Sequence, residues 1–215
     1  MVGYQSDIAV NDGYTPIGGA FVNIGEQVFP IANMEASGVA DSALQLWVVD
    51  SNLSSTSKAY FFNAWQDLPA GWFNDDGSVE VSADIAMGSG VLLKTGTSGV
   101  TALQRGEVST NGVPSLAVND GYTILANPYA VPLPIANLVA TGVADSALQL
   151  WVVDSNLSST SKAYFFNAWQ DLPAGWFNDD GSVEISYSIP VGGAVLLKTG
   201  TTGVTLSIKS PITSL

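Results

Sequence analysis

Acidic side chains offer this sequence its most direct route to chemistry, and they come in matched sets. Asn74, Asp75 and Asp76 precede Gly77, and the same string returns as Asn178, Asp179, Asp180 and Gly181. Clustered oxygens suit a hard cation, which makes Asp75, Asp76, Asp179 and Asp180 candidate calcium ligands. The alternating acids of an EF-hand loop are missing, however, and one four-residue string cannot supply six or more oxygens. Asp-Gly is also what a tight hairpin turn requires, and the turn is the favoured reading. Asp67, Asp75, Asp76, Glu80 and Asp84 contain enough carboxyls for a glycosidase pair. Position 84 becomes Ser188 in the second set, so a pair using it would exist only once. Turns and solvated strand faces account for all these acids, no constellation meets the requirements of a catalytic centre, and a non-enzyme is expected.

Aromatic residues form the second set. Trp65, Trp72 and Phe73 surround a Leu-Pro-Ala-Gly loop, and Trp169, Trp176 and Phe177 repeat them. Exposed, these rings would make a platform for stacking on sugars; buried, they are core or interface anchors, the favoured alternative. Trp47 and Trp151 lie within strand-like runs and are expected in the core. Lys58 and Lys162 are the only bases in their strands. With Asn63 or Asn167 and a catalytic acid they would suit an isopeptide crosslink, although an edge-strand lysine that discourages mispairing is the simpler reading.

Composition removes several function classes. The chain has neither histidine nor cysteine, so disulfides, thiolate or imidazole zinc sites and histidine-based triads are excluded. Six basic against nineteen acidic residues give a net charge of −13 and no basic stripe, which excludes nucleic acid as a partner. An anionic membrane surface would repel the chain, and no apolar run is long enough for a membrane span. With 47% apolar residues it can fill a core, while only 12% are charged, a balance typical of secreted β-rich structural proteins. The N-terminal MVGYQSD has neither the basic region nor the apolar core of a signal peptide, so the expectation is either an extracellular product whose leader has been removed or a cytoplasmic or viral one.

The elements that must carry these residues are duplicated. Residues 38–80 and 142–184 are the same 43-residue string, 104 positions apart. The gapless match extends over 30–101 and 134–205, with 61 of 72 positions identical. Ala9-Val-Asn-Asp-Gly-Tyr-Thr15 recurs at 117–123, so the first copy holds four extra residues in the loop that follows. A unit of this size is a domain rather than a solenoid turn. Two domains are expected, 1–104 and 115–215, joined by a polar linker at 105–114. Leu44-Gln-Leu-Trp-Val-Val49 and residues 58–65 read as strands. Val79, Val81, Ala83 and Ile85 alternate with polar residues as a half-buried strand. Only 32–40 offers a hint of helix, as a short turn. Seven to nine short strands per copy point to an all-β fold of two tandem β-sandwich or jelly-roll-like domains.

Three strings in the second copy carry a resemblance: Gly121-Tyr-Thr-Ile-Leu-Ala-Asn-Pro-Tyr129, Leu148-Gln-Leu-Trp-Val-Val-Asp154 and Ile189-Pro-Val-Gly-Gly-Ala-Val-Leu-Leu197. In that order they resemble Asn-Pro-Tyr-containing β-sandwich modules of secreted surface proteins of Bacteroidetes and related bacteria. The first copy departs from the pattern, with Thr15-Pro-Ile-Gly-Gly-Ala-Phe21 in place of the Asn-Pro-Tyr turn. The resemblance implies an extracellular module without catalytic residues.

Repetition itself suggests function. Near-identical domains in tandem predict a head-to-tail, heterologous contact, which repeats indefinitely unless it closes a ring. The expected protein is therefore an extracellular or cell-surface structural subunit of a filament, sheath or surface layer, with other copies of itself as partner. A glycan-binding adhesin module using Trp65, Trp72 and their twins is the alternative, and a viral capsid or fibre component the third. Positions where the copies differ mark surfaces given unequal neighbours: the 21–29 loop, residues 81–90, Glu35 (Val139) and Asp84 (Ser188).

Overall fold

The computed structural model describes residues 4–19, 21, 27–63, 69–108, 115–167 and 173–211. The fold is all-β, as expected. The first copy runs β1 (Tyr4–Val10), β2 (Gly13–Gly18), β3 (Val28–Pro30), β4 (Met34–Ser37), β5 (Leu44–Val49), β6 (Ser55–Phe62), β7 (Gly71–Phe73), β8 (Asp84–Ala86), β9 (Gly90–Thr95) and β10 (Val100–Gly106). The second repeats the series as β11 (Leu116–Val118), β12 (Gly121–Ala126), β13 (Leu133–Pro134), β14 (Leu138–Thr141), β15 (Leu148–Val153), β16 (Ser159–Phe166), β17 (Gly175–Phe177), β18 (Ser188–Ile189), β19 (Ala194–Thr199) and β20 (Val204–Ile208). The helical hint at 32–40 reduces to a 3-10 turn, Ile31–Asn33, followed at once by β4.

Each copy folds into a three-stranded sheet (β1-β10-β4), a five-stranded sheet (β2-β9-β5-β6-β7) and a two-stranded ribbon (β3-β8), all antiparallel, with the equivalent sheets in the second copy. Strand periodicity decides what each sheet buries. Leu44 and Leu46 of β5, Ala59 and Phe61 of β6 and Leu93 of β9 point inward to meet Val10, Val100 and Ala102 of the three-stranded sheet in one core. Leu148, Leu150, Ala163, Phe165 and Leu197 meet Val118, Val204 and Leu206 in the second. The central strands β9 and β19 depart from simple alternation, because Leu92 and Leu196 are fully buried on the opposite face. A strand buried on both faces needs a second layer outside the sheet.

Three expectations about elements change. Residues 79–85 do not form a strand: Val79 is 59% exposed and only Asp84–Ala86 pairs as one. The Asn74 side chain accepts the backbone N–H groups of Ser78 and Val79, which holds the chain in a turn as far as the isolated Phe73–Glu80 bridge. β6 starts earlier than residue 58 and ends at Phe62. β10 runs through Arg105 and Gly106, so strand continues into the first two residues of the expected linker.

Candidate functional site

The second layer over Leu92 and Leu196 is the other copy. Tyr14 N–H donates to the Ser155 carbonyl at 2.7 Å, and Tyr122 N–H donates to the Ser51 carbonyl at 2.7 Å. Gly18 N–H bonds the Gly192 carbonyl at 3.1 Å, and Ala126 N–H bonds the Gly88 carbonyl at 2.9 Å. The bridge Ile17–Gly193 is matched by Leu125–Ser89. Each contact therefore occurs twice with the copies exchanged, which is the signature of a two-fold, isologous interface. Within the chain the copies therefore meet through the same surface on each rather than head to tail. Each copy offers the same surface, β2 with β9 or β12 with β19, and a two-fold pairing satisfies both at once.

Local sequence builds this seam. The Asp50 carboxylate accepts the N–H groups of Asn52 and Ser54, closing the β5–β6 turn, and Asp154 does the same for Asn156 and Ser158. The closed turn offers its Ser51 or Ser155 carbonyl outward to the partner copy. Gly13 and Gly121 receive those carbonyls at φ +109° and +98°, and a β-carbon at either position would stand against the serine oxygen. Leu92, Ile124 and Leu196 fill the space between the sheets, flanked by Tyr14, Trp47, Tyr122 and Trp151.

The face of each five-stranded sheet that meets the other copy also carries, beside the apolar fill and out to the exposed Lys58 and Lys162, a ladder of cations and rings. Lys58 and Lys94 place their Nζ atoms 4.2 and 4.5 Å from the Trp47 ring centroid. Lys94 also lies 5.1 Å from Tyr14, whose ring meets Trp47 edge-on at 5.4 Å. The second copy repeats the arrangement, with Lys162 and Lys198 at 4.4 and 4.7 Å from Trp151 and Tyr122 beside it. Strand register explains it: Tyr14 is opposite Lys94, Lys94 opposite Gln45, and Trp47 opposite Lys58. Gln45 and Gln149 accept the indole N–H groups at 2.8 Å and fix the rings. Trp47 and Trp151, expected in the core, are half-buried members of these ladders, because they fall on the face opposite Leu44 and Leu46. The isopeptide reading also fails geometrically. Lys58 is exposed, and the Asn63 amide donates instead to Asp41 and the Val39 carbonyl.

Two related cavities open at the seam. One, of about 320 Å³, is lined among others by Asp7, Asn11, Thr15, Pro16, Val153 and Tyr187. Its two-fold counterpart, about 180 Å³, is lined by Asn119, Thr123, Ile124, Val49, Ser89 and Gly90. Residues that differ between the copies concentrate at the larger one: Tyr187, Pro190, Val191, Gly193 and Ala194 replace Ala83, Ala86, Met87, Ser89 and Gly90. Burial holds the Tyr187 hydroxyl above its ordinary pKa.

The residues singled out from sequence are scattered. Trp72 and Trp176 are each 1% exposed and donate their indole N–H to the Met34 and Leu138 carbonyls at 2.8 and 3.0 Å. Phe73 and Phe177 are buried against Phe62 and Phe166. None of these four presents a face to a sugar, which removes them from the platform; Trp65, Trp169 and Asp67 lie outside the described residues. Asp75, Asp76, Asp179 and Asp180 are exposed at their turns. Asp76 and Asp180 accept the N–H groups of Ser78 and Ser182, and those serines, through their side chains first and their backbone second, hold both carboxyls below the usual range. Among the described residues no three acidic side chains gather as a metal-ligand set. Glu35 is exposed and paired with Arg105 at 2.8 Å, while Val139 faces Ser207 across β14 and β20. Asp84 and Ser188 are exposed on β8 and β18. Phe21 and Phe29, which bound the expected variable loop, are core residues at 1% exposure.

Asn127 of the Asn-Pro-Tyr string is fully buried. Its amide donates to the carbonyls of Val131, Ile189 and Pro190, and its oxygen accepts Tyr129 N–H. The string is a turn clamp. The cation–aromatic ladders escaped the sequence reading because they assemble from four strands up to eighty positions apart; alternation alone placed Gln45 and Trp47 on one face. No helix among the described residues is long and apolar enough to cross a membrane. No protein-family model, curated protein or solved structure matches this chain.

Proposed function

We propose that the protein is a structural subunit, extracellular or at a cell surface, of a filament, sheath or layer built from copies of this chain. The observation that carries this reading is where the identical block falls. Residues 38–80 and 142–184 contain β5, β6 and β7 and their counterparts, and β7 is the sheet edge opposite the seam strand β2. The copies diverge at one side of the seam cavity, whereas the block stays identical from its Ser51 and Ser155 seam turns out to the β7 and β17 edges. Two-fold pairing then presents that unchanged surface twice per chain. A unit with two equal patches is bivalent, and it grows without limit once the patch finds a complement on the next chain.

Growth between chains is heterologous even though the pairing within a chain is not. The low share of charged residues and the resemblance to secreted surface modules support the extracellular placement. Electron microscopy and sedimentation of the purified chain across a wide concentration range test the proposal. Polymers with a spacing of one or two lobes are expected; a strict monomer at every concentration, with and without calcium, overturns it.

A further inference from the structure

Four of the chain's six basic residues, Lys58, Lys94, Lys162 and Lys198, sit in the two ladders. Nineteen acidic residues are available as partners, yet among the described residues none of these four lysines has a carboxylate within ion-pair distance. Arg105, outside the ladders, does pair, with Glu35 at 2.8 Å. The lysines are laid over indole rings instead, and the rings hold their ammonium groups at the sheet surface with the N–H donors unspent. Such prepositioned cations lose less freedom on binding than free lysines would. Because the ammonium groups cover Trp47 and Trp151, these faces suit an anion better than a stacked neutral sugar.

We infer that each Lys–Trp–Tyr ladder receives the acidic turn of residues 74–78, or its twin 178–182, from a second copy of this chain. The inference rests on the assembly reading above and names its contact. Charge complementarity and number both favour this occupant. Each chain has two ladders and two turns, and Asp75, Asp76, Asp179 and Asp180 are exposed. The turns are rigid before binding, since Asn74 and Asn178 bond back to Ser78, Val79, Ser182 and Val183. Hydrogen bonds from Ser78 and Ser182 hold the Asp76 and Asp180 carboxyls below the usual carboxylate range. Within a lobe the ladder lies on β2, β9, β5 and β6, while the turn follows β7 at the sheet edge. Ladder to turn is therefore a contact between different surfaces, and it propagates.

A complementary charge swap tests it. Lys58→Glu with Lys162→Glu makes one variant, and Asp75→Lys with Asp179→Lys the other; all four positions are exposed, so folding checked by circular dichroism should be intact. Reversing one side turns attraction into like-charge repulsion and raises the concentration needed for assembly by about tenfold or more for either variant alone. An equimolar mixture, which keeps the wild-type mean charge, restores assembly. Arg105→Glu with Lys209→Glu, the same charge change off the ladder, assembles as the wild type does. If both swapped variants assemble normally, the ladder contact is wrong while the filament reading stands; a wild type that never assembles overturns both. Failure of the mixture to recover overturns the acidic turn as occupant. So does polygalacturonate that sediments with the wild type but not with Lys58→Glu/Lys162→Glu, which would make the ladder a site for anionic polysaccharide.

Discussion

Gly13→Ala and Gly121→Ala should weaken the protein by equal amounts, although they lie 108 positions apart in the chain. Each glycine is at a positive φ, +109° and +98°, and each faces a serine carbonyl of the other copy. A side chain at such a φ costs about 1–3 kcal/mol of backbone strain. The added methyl also pushes away the serine carbonyl that accepts the neighbouring tyrosine N–H, and that hydrogen bond has a net worth of about 0.5–1.5 kcal/mol. The two effects together give roughly 2–3 kcal/mol per substitution. For a chain of this length that is a fall in Tm of roughly 5–10 °C. Thermal melts followed by circular dichroism, with urea titrations to check that one transition remains, measure it. The double variant should lose the sum, because the sites share no partner. A cost at one glycine and none at the other would mean that the seam is not two-fold. Independent melting of the two lobes, with each substitution felt in one lobe only, would mean that the seam does not couple them.

Other perturbations follow from single contacts. Trp72→Phe and Trp176→Phe leave the Met34 and Leu138 carbonyls without their indole donor and should each cost about 1–3 kcal/mol in urea titrations, with no change in any glycan binding. Asn127→Ala removes a buried amide that makes four hydrogen bonds; a loss of about 2–3 kcal/mol is expected, whereas the equivalent position of the first copy, Gly19, has no side chain to lose. The carboxyls of Asp41, Asp76 and Asp180 are held below the ordinary aspartate pKa, Asp41 mainly by the Asn63 backbone and side chain and the other two mainly by Ser78 and Ser182. Groups with a depressed folded pKa add stability above the ordinary carboxylate pKa and lose it as pH falls through the folded one. Tm should therefore be level near neutrality and drop below about pH 4, and Asp41→Asn should lower the plateau and flatten that drop.

Much of the architecture could be read from residue order. The strand at Leu44–Val49 appears with the bounds its β-branched and aromatic run implies, and Asn74–Gly77 is the turn that Asp-Gly demands. Local chemistry sets both, since the side-chain period and the turn angles need no distant partner. The alternation at 79–85 misled for a local reason too: Asn74 competes for the backbone that a strand would have used. Trp72 and Trp47 exchanged roles. One sits in a Pro-Gly loop region yet is buried, and the other sits in a strand yet lines a surface. Sequence supplied alternation but not which face of the sheet would find the second layer.

Duplication, all-β character, the shortage of bases and the lack of histidine and cysteine belong to the sequence alone, because identity and composition are independent of folding. The tertiary structure decided how the copies meet. Tandem order suggested head to tail, and the fold closes them about a two-fold instead, since a surface that exposes Leu92 beside a free β2 is best satisfied by its own duplicate. That closure brings several of the copies' differences to one cavity, while strand pairing within each sheet gathers two lysines onto each indole and leaves the β7 and β17 edges of the identical block far from the seam strands. Each of these requires β2, β9, β5 and β6 to lie side by side, and only long-range strand pairing brings them there.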